Sequence, residues 1–120
     1  MGRIFVIEDD DQVRMLYRDI LVKAGHEVIE ARDGREGMRL FRQAPGDLVI
    51  TDIIMPKKDG VETIRELKRD FPGVKIIAIT GARGIFNRLP AAENLGADIV
   101  MRKPTTVQEI VVIVTGLLSG

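Results

Sequence analysis

The sequence predicts a three-layer α/β/α sandwich, one domain over residues 1–120, in which five parallel strands alternate with five helices. Three observations predict it. Five short runs rich in valine and isoleucine are spaced along the chain as buried strands are. The segments between them carry apolar residues at helical spacing, bounded by capping residues and glycine. The chain has 120 residues, 45% of them hydrophobic, which suits one continuous core and leaves little room for a second. Strict alternation of this kind selects a parallel sheet with helices on both faces and right-handed crossovers.

The strands are read at Ile4 to Ile7, Glu27 to Ala31, Leu48 to Thr51, Ile76 to Ile79 and Ile99 to Met101. The first helix starts after Asp10 or Asp11, with Val13, Leu16, Tyr17, Ile20 and Leu21 on its buried face. It stops at Ala24-Gly25, where glycine permits a left-handed cap. Asp33 with Glu36, and Thr106 with Glu109, have the spacing of a capping box and open the second and fifth helices. Val61, Ile64 and Leu67 form the stripe of the third helix. The fourth helix is placed from near Leu89, because Gly81 and Gly84 loosen its approach and Pro90 fits only a first turn. In the fifth, Val107, Ile110, Val111, Val114, Leu117 and Leu118 make the buried stripe. Val112 and Ile113 widen its apolar surface toward a homodimer or partner contact.

Composition removes several functions. Lysine plus arginine equal aspartate plus glutamate at 18 each, so no net field draws the chain to nucleic acid or an anionic membrane. With no cysteine there are no disulfides, thiolate metal sites or cysteine nucleophiles, and any metal must be held by oxygen. No apolar run approaches the roughly 18 residues of a membrane span, and Met1 leads directly into a strand-like segment, so a cytoplasmic location is expected.

In open α/β sheets ligands bind beyond the carboxyl ends of the strands. Those ends carry Glu8-Asp9-Asp10-Asp11, Asp52, Thr80 and Lys103-Pro104. Carboxylates within ~5 Å repel by roughly 3 kcal/mol per pair at an effective dielectric near 20, a conflict that a divalent cation resolves. Magnesium suits carboxylate, carbonyl and water oxygens and bridges them to phosphate. With the metal and Lys103 neutralising charge, Asp52 could then attack phosphorus while Thr80 and backbone N–H groups receive the transferred oxygens. Taken singly these residues have plainer readings: Asp10 or Asp11 as a helix cap rather than a ligand, Lys103 as a surface lysine, Thr80 as a strand residue. His26, with no second histidine or cysteine for company, is read as structural.

The stretch Asp47 to Gly60, containing Asp52-Ile53-Ile54-Met55-Pro56, resembles the phosphoacceptor strand and loop of response-regulator receiver domains. Glu8-Asp9 resembles their acidic pair, Thr80 their switch hydroxyl, and Lys103-Pro104 their lysine and proline, in order along the chain. The resemblance implies a flavodoxin-like strand order of 2-1-3-4-5 and a receiver domain over residues 1–120. It further implies phosphotransfer to Asp52 from a sensor histidine kinase or phosphotransfer protein, and a downstream effector or output domain. Magnesium (Mg2+) would be held by Asp9, Asp52 and the backbone carbonyl of Ile54, with Glu8 assisting through water. The fourth helix, fifth strand and fifth helix would form the responding surface, also the place for a homodimer.

The chain departs from the family's pattern at two places. Val100 occupies the position where the fifth strand usually has an aromatic residue, and Gly81 follows the switch hydroxyl. Backbone rearrangement of Gly81 to Gly84 is therefore expected in place of an aromatic rotamer switch. Ile54 and Arg83 stand where they could gate attacking water. Flavin or dinucleotide binding would need a glycine-rich or hydroxyl-rich loop after the first strand, where this chain has four acids. A magnesium-dependent phosphatase would use the same nucleophile but usually has a second acid two residues on, where Ile54 stands. A degenerate receiver acting only as an interaction module would lack some of Asp52, Thr80 and Lys103.

Overall fold

Side chains alternate across each strand, so a run that is apolar at every position covers both faces of a sheet at once. The computed structural model describes residues 2–53, 60–80, 96–102 and 105–119. Its strands are β1 (Arg3–Ile7), β2 (Glu27–Ala31), β3 (Leu48–Asp52), β4 (Lys75–Thr80) and β5 (Ile99–Arg102). They form one parallel sheet in the order β2-β1-β3-β4-β5, the order implied by the resemblance. The helices among the described residues are α1 (Asp11–Lys23), α2 (Gly34–Gln43), α3 (Gly60–Asp70) and α4 (Val107–Ser119). The last is the fifth helix of the sequence reading. The expected fourth helix near Leu89, with Gly81, Arg83, Gly84 and Pro90, lies outside the described residues.

Two cores result. Ile4, Val6, Ile50, Ile77 and Ile79 point to one face and pack on Tyr17 and Leu21 of α1 and Ile110 and Val114 of α4. Phe5, Ile7, Val49, Ile76 and Ala78 point to the other, against Phe41 of α2 and Ile64 and Leu67 of α3. Each such leucine or isoleucine contributes about 1.5–3 kcal/mol relative to exposure. Val100, on β5, joins the second of these layers as a partly buried residue.

The helix ends follow from their residues. Asp10 is the cap of α1, its Oδ1 accepting from the N–H groups of Gln12 (2.9 Å) and Val13 (3.2 Å). At the other end Gly25, at φ 96°, donates to the Val22 carbonyl while His26 N–H donates to that of Leu21, the paired bonds of a Schellman stop. Thr106 and Glu109 form a reciprocal capping box at 3.1 Å each way. In α2 the box is shifted: Asp33 accepts from Glu36 N–H, but Glu36 reaches back to the N–H of Arg32.

Two expectations about buried faces are corrected. Leu16 is 52% exposed, and Arg14 takes a buried place on α1. At about 100° per residue Leu16 stands a quarter turn from the line through Val13, Tyr17 and Leu21, whereas Arg14 lies beside it. In α4, Ile113 rather than Val111 packs on the core with Leu117 and Leu118. Val112 points almost opposite and is 69% exposed, so the widened apolar surface reduces, in the described part of α4, to Val112 and a half-buried Val111. The side chain of Val107 lies outside the described residues.

His26 is structural. Its Nδ1 accepts from the N–H of Gly2 at 3.1 Å, and burial pushes its imidazole below the ordinary value of 6.5. Because the folded state resists protonation, the unfolded chain binds more protons there. The stability contributed is full above pH 6.5 and lost as pH falls through the lower folded value. An NMR titration should give a His26 midpoint below 6.5, and a midpoint above it would contradict this environment.

Candidate phosphoryl-transfer site

The carboxyl ends of β1, β3 and β4 adjoin in the sheet, and the residues that follow them meet at one rim. β1 runs out at Ile7, paired with Thr51 of β3 and Ala31 of β2. Glu8 keeps one more ladder bond, its N–H to the Ala31 carbonyl at 3.0 Å, and the chain then turns into α1. Within that turn the N–H of Asp10 donates to Glu8 Oε2 at 3.1 Å, which folds the Glu8 side chain back over the loop. Glu8 is 2% exposed, whereas Asp9 is exposed.

Asp52 is the last residue of β3 and is 8% exposed. Its backbone is locked by the register with Ile79 and by Ile53 N–H, which donates to the Ile79 carbonyl at 2.9 Å. Thr80 follows Ile79 at the end of β4 and is fully buried. Glu8, Asp9 and Asp52 each bring one carboxylate oxygen within 4.8 Å of the others. Asp10 and Asp11 are occupied elsewhere, the former as a cap and the latter paired with Arg14 at 2.6 Å. That guanidinium holds the Asp11 carboxyl below the usual carboxylate range.

Two of the three acids are buried, so water screens their repulsion poorly; only Asp9 is well solvated. The donor set is entirely hard oxygen and opens to solvent on the Asp9 side. That chemistry fits a small dication that keeps part of its water shell, as magnesium does. Thus the sequence-predicted Glu8, Asp9 and Asp52 are brought together, and Thr80 is placed on the adjacent strand end. Ile54, Lys103 and Pro104, together with the loop through Asp59, lie outside the described residues.

Some contributors were missed from sequence. Arg14 is 8% exposed, and its Nη1 donates to the Glu8 carbonyl at 2.9 Å. The available signal was an arginine three residues after Asp11 on the apolar side of α1. Gly60 opens α3 and donates its N–H to the Ile53 carbonyl at 2.6 Å, closing the loop that begins after Asp52. Tyr17 Oη and Thr105 Oγ1 lie 3.0 Å apart, tying α1 to the segment after β5.

The family model for the response regulator receiver domain matches residues 4–115. The chemotaxis protein CheY of Thermotoga maritima is 35% identical over 103 residues, 85% of each chain. A probable transcriptional regulator ycf27 of Guillardia theta is 34% identical over 108 residues, 90% of this chain but 42% of that protein. The chain likewise spans 44% of the corresponding ycf27 protein of Porphyridium aerugineum, so it covers less than half the length of these relatives. Among solved structures, a response regulator receiver domain protein from Clostridium thermocellum superposes with a TM-score of 0.92 at 31% identity, over 99% of this chain and 95% of that one. No helix among the described residues is long and apolar enough to cross a membrane. With the parallel order, the acidic rim and these likenesses in agreement, the chain belongs to the response-regulator receiver domains of two-component signalling.

Proposed function

We propose that this domain is a phosphorylation-dependent switch in which Asp52 accepts a phosphoryl group from a phosphohistidine of a sensor kinase or phosphotransfer protein. The observation that carries the reading is the convergence of Glu8, Asp9 and Asp52 within 4.8 Å on a rim that also holds Thr80. An oxygen of the Asp52 carboxylate attacks phosphorus, the P–N bond to the donor imidazole breaks with its electron pair going to nitrogen, and an acyl phosphate forms. Burial of Asp52 restricts the motion of its carboxylate and limits access of water to the product.

Asp9, Asp52 and the backbone carbonyl of Ile54 would hold magnesium, with Glu8 reaching it through water. When bound, the ion supplies charge neutralisation for the carboxylates and the phosphoryl oxygens. Thr80 donates its hydroxyl to a phosphoryl oxygen and Lys103 pairs with another, which draws both toward Asp52 and shifts the β4 and β5 ends. A downstream effector or output domain reads that shift, and the relatives twice this length are compatible with one. The domain thus acts as a phosphoacceptor that assists its own phosphorylation and dephosphorylation.

Incubation with acetyl phosphate and magnesium should add one phosphate-sized mass, detected by intact-mass spectrometry. The gain should vanish in Asp52→Asn and after chelation of the metal. A gain that persists in Asp52→Asn would place the chemistry elsewhere.

A further inference from the structure

We propose that Arg14 is a positioning residue for cation binding: it fixes the turn from Glu8 to Asp11 in the shape that lets Glu8 and Asp9 close on Asp52. The inference rests on the reading of those three acids as a divalent-cation site. The guanidinium is almost buried and uses three donors in three directions. Nη1 meets the Glu8 carbonyl (2.9 Å), Nη2 meets Asp11 Oδ1 (2.6 Å), and Nε meets Glu30 Oε1 on β2 (3.2 Å). Register pairing of β1 with β2 and β3 runs to Ile7, and just past it the Glu8 carbonyl accepts from Arg14, a donor that comes from a helix rather than from a neighbouring strand.

The result is a turn held on both sides. The Glu8 N–H is bound to β2, its carbonyl is bound to α1, and its carboxylate accepts from Asp10, which is itself the α1 cap. Asp9 is the residue left to project outward from this frame. Glu30 is in turn braced by Arg18 at 3.1 Å, so the anchor for Nε is itself fixed. Lysine at position 14 carries the same charge but a single nitrogen, which cannot span the three acceptors. A planar fork is therefore required by geometry rather than by charge.

The test titrates Mn2+ against the folded wild-type protein and Arg14→Lys, reading free Mn2+ by electron paramagnetic resonance, with Mg2+ competition and circular dichroism of each sample. The expected result is a roughly tenfold weaker Kd in Arg14→Lys at unchanged helix content, and a smaller rise in Tm on adding Mg2+. A residue needed only for folding would lower Tm with and without cation alike and leave the Kd of the folded protein unchanged. A Kd within twofold of wild type overturns the role of Arg14. Absence of Mn2+ binding in the wild type itself overturns the cation-site reading and the inference with it, so the two failures are separable. Should Arg14→Lys not fold, Asp11→Ala combined with Glu30→Ala removes two anchors while keeping the guanidinium; an unchanged Kd there overturns the proposal equally.

Discussion

Gly60→Ala is expected to lower folding stability by about 3 kcal/mol and to slow phosphoryl acceptance at Asp52 more than tenfold, because overpacking against rigid atoms is not relieved by rotation. A Cβ at position 60 would overlap the carbonyl oxygen of Asp52 and come within 2.6 Å of the Ile53 Cα. Both neighbours are backbone at the end of a central strand, locked by the pairing of Asp52 with Ile79. The helix would have to move outward, and the Gly60 N–H to Ile53 carbonyl bond of 2.6 Å would go with it. The Asp52 peptide would tilt as a consequence. Urea unfolding gives the first quantity and the rate of mass gain with acetyl phosphate the second. A variant as stable as the parent to within ~0.5 kcal/mol would show that α3 does not approach β3 this closely.

Phe41→Ala should cost about 3–5 kcal/mol, the range for deleting a large aromatic from a close-packed core. Phe41 is 1% exposed and stands between two other rings, 4.9 Å from Phe5 at 58° and 4.8 Å from Phe71 at 74°. It therefore joins sheet, α2 and the end of α3 in one aromatic column. The column is clamped from outside by Arg42, which pairs with Glu66 and Asp70 and lies 5.6 Å from the Phe71 ring centre. Neither helix can close the void without breaking that clamp. Chemical denaturation should show a lower midpoint at an unchanged slope; a loss below ~1 kcal/mol would mean the site collapses freely.

The strands were legible because each is apolar at consecutive positions, a signal that buried parallel strands share with little else of that length. Ends were legible where one side chain decides them: Gly25 stops α1 through a positive φ, and Thr106 with Glu109 opens α4. Buried faces were less so. Leu16 reads as inward because leucine is apolar, but Arg14 has the better angle and finds three acceptors that offset the cost of burial. Ile113 and Val111 were exchanged for the same angular reason. The strand order came from family likeness, since alternation alone does not distinguish 2-1-3-4-5 from other doubly wound orders. Convergence of Glu8, Asp9 and Asp52 followed from strand ends, whereas Arg14 on the Glu8 carbonyl and Gly60 on the Ile53 carbonyl meet the site through backbone oxygens, which every residue carries and no residue pattern singles out.

The contact between Tyr17 and Thr105 makes the molecule its own optical instrument. The chain has one tyrosine and no tryptophan, so ultraviolet emission originates essentially from a single buried phenol. That phenol lies 3.0 Å from the Thr105 hydroxyl, so a change at this contact is expected to be readable in the emission of one fluorophore without an added dye.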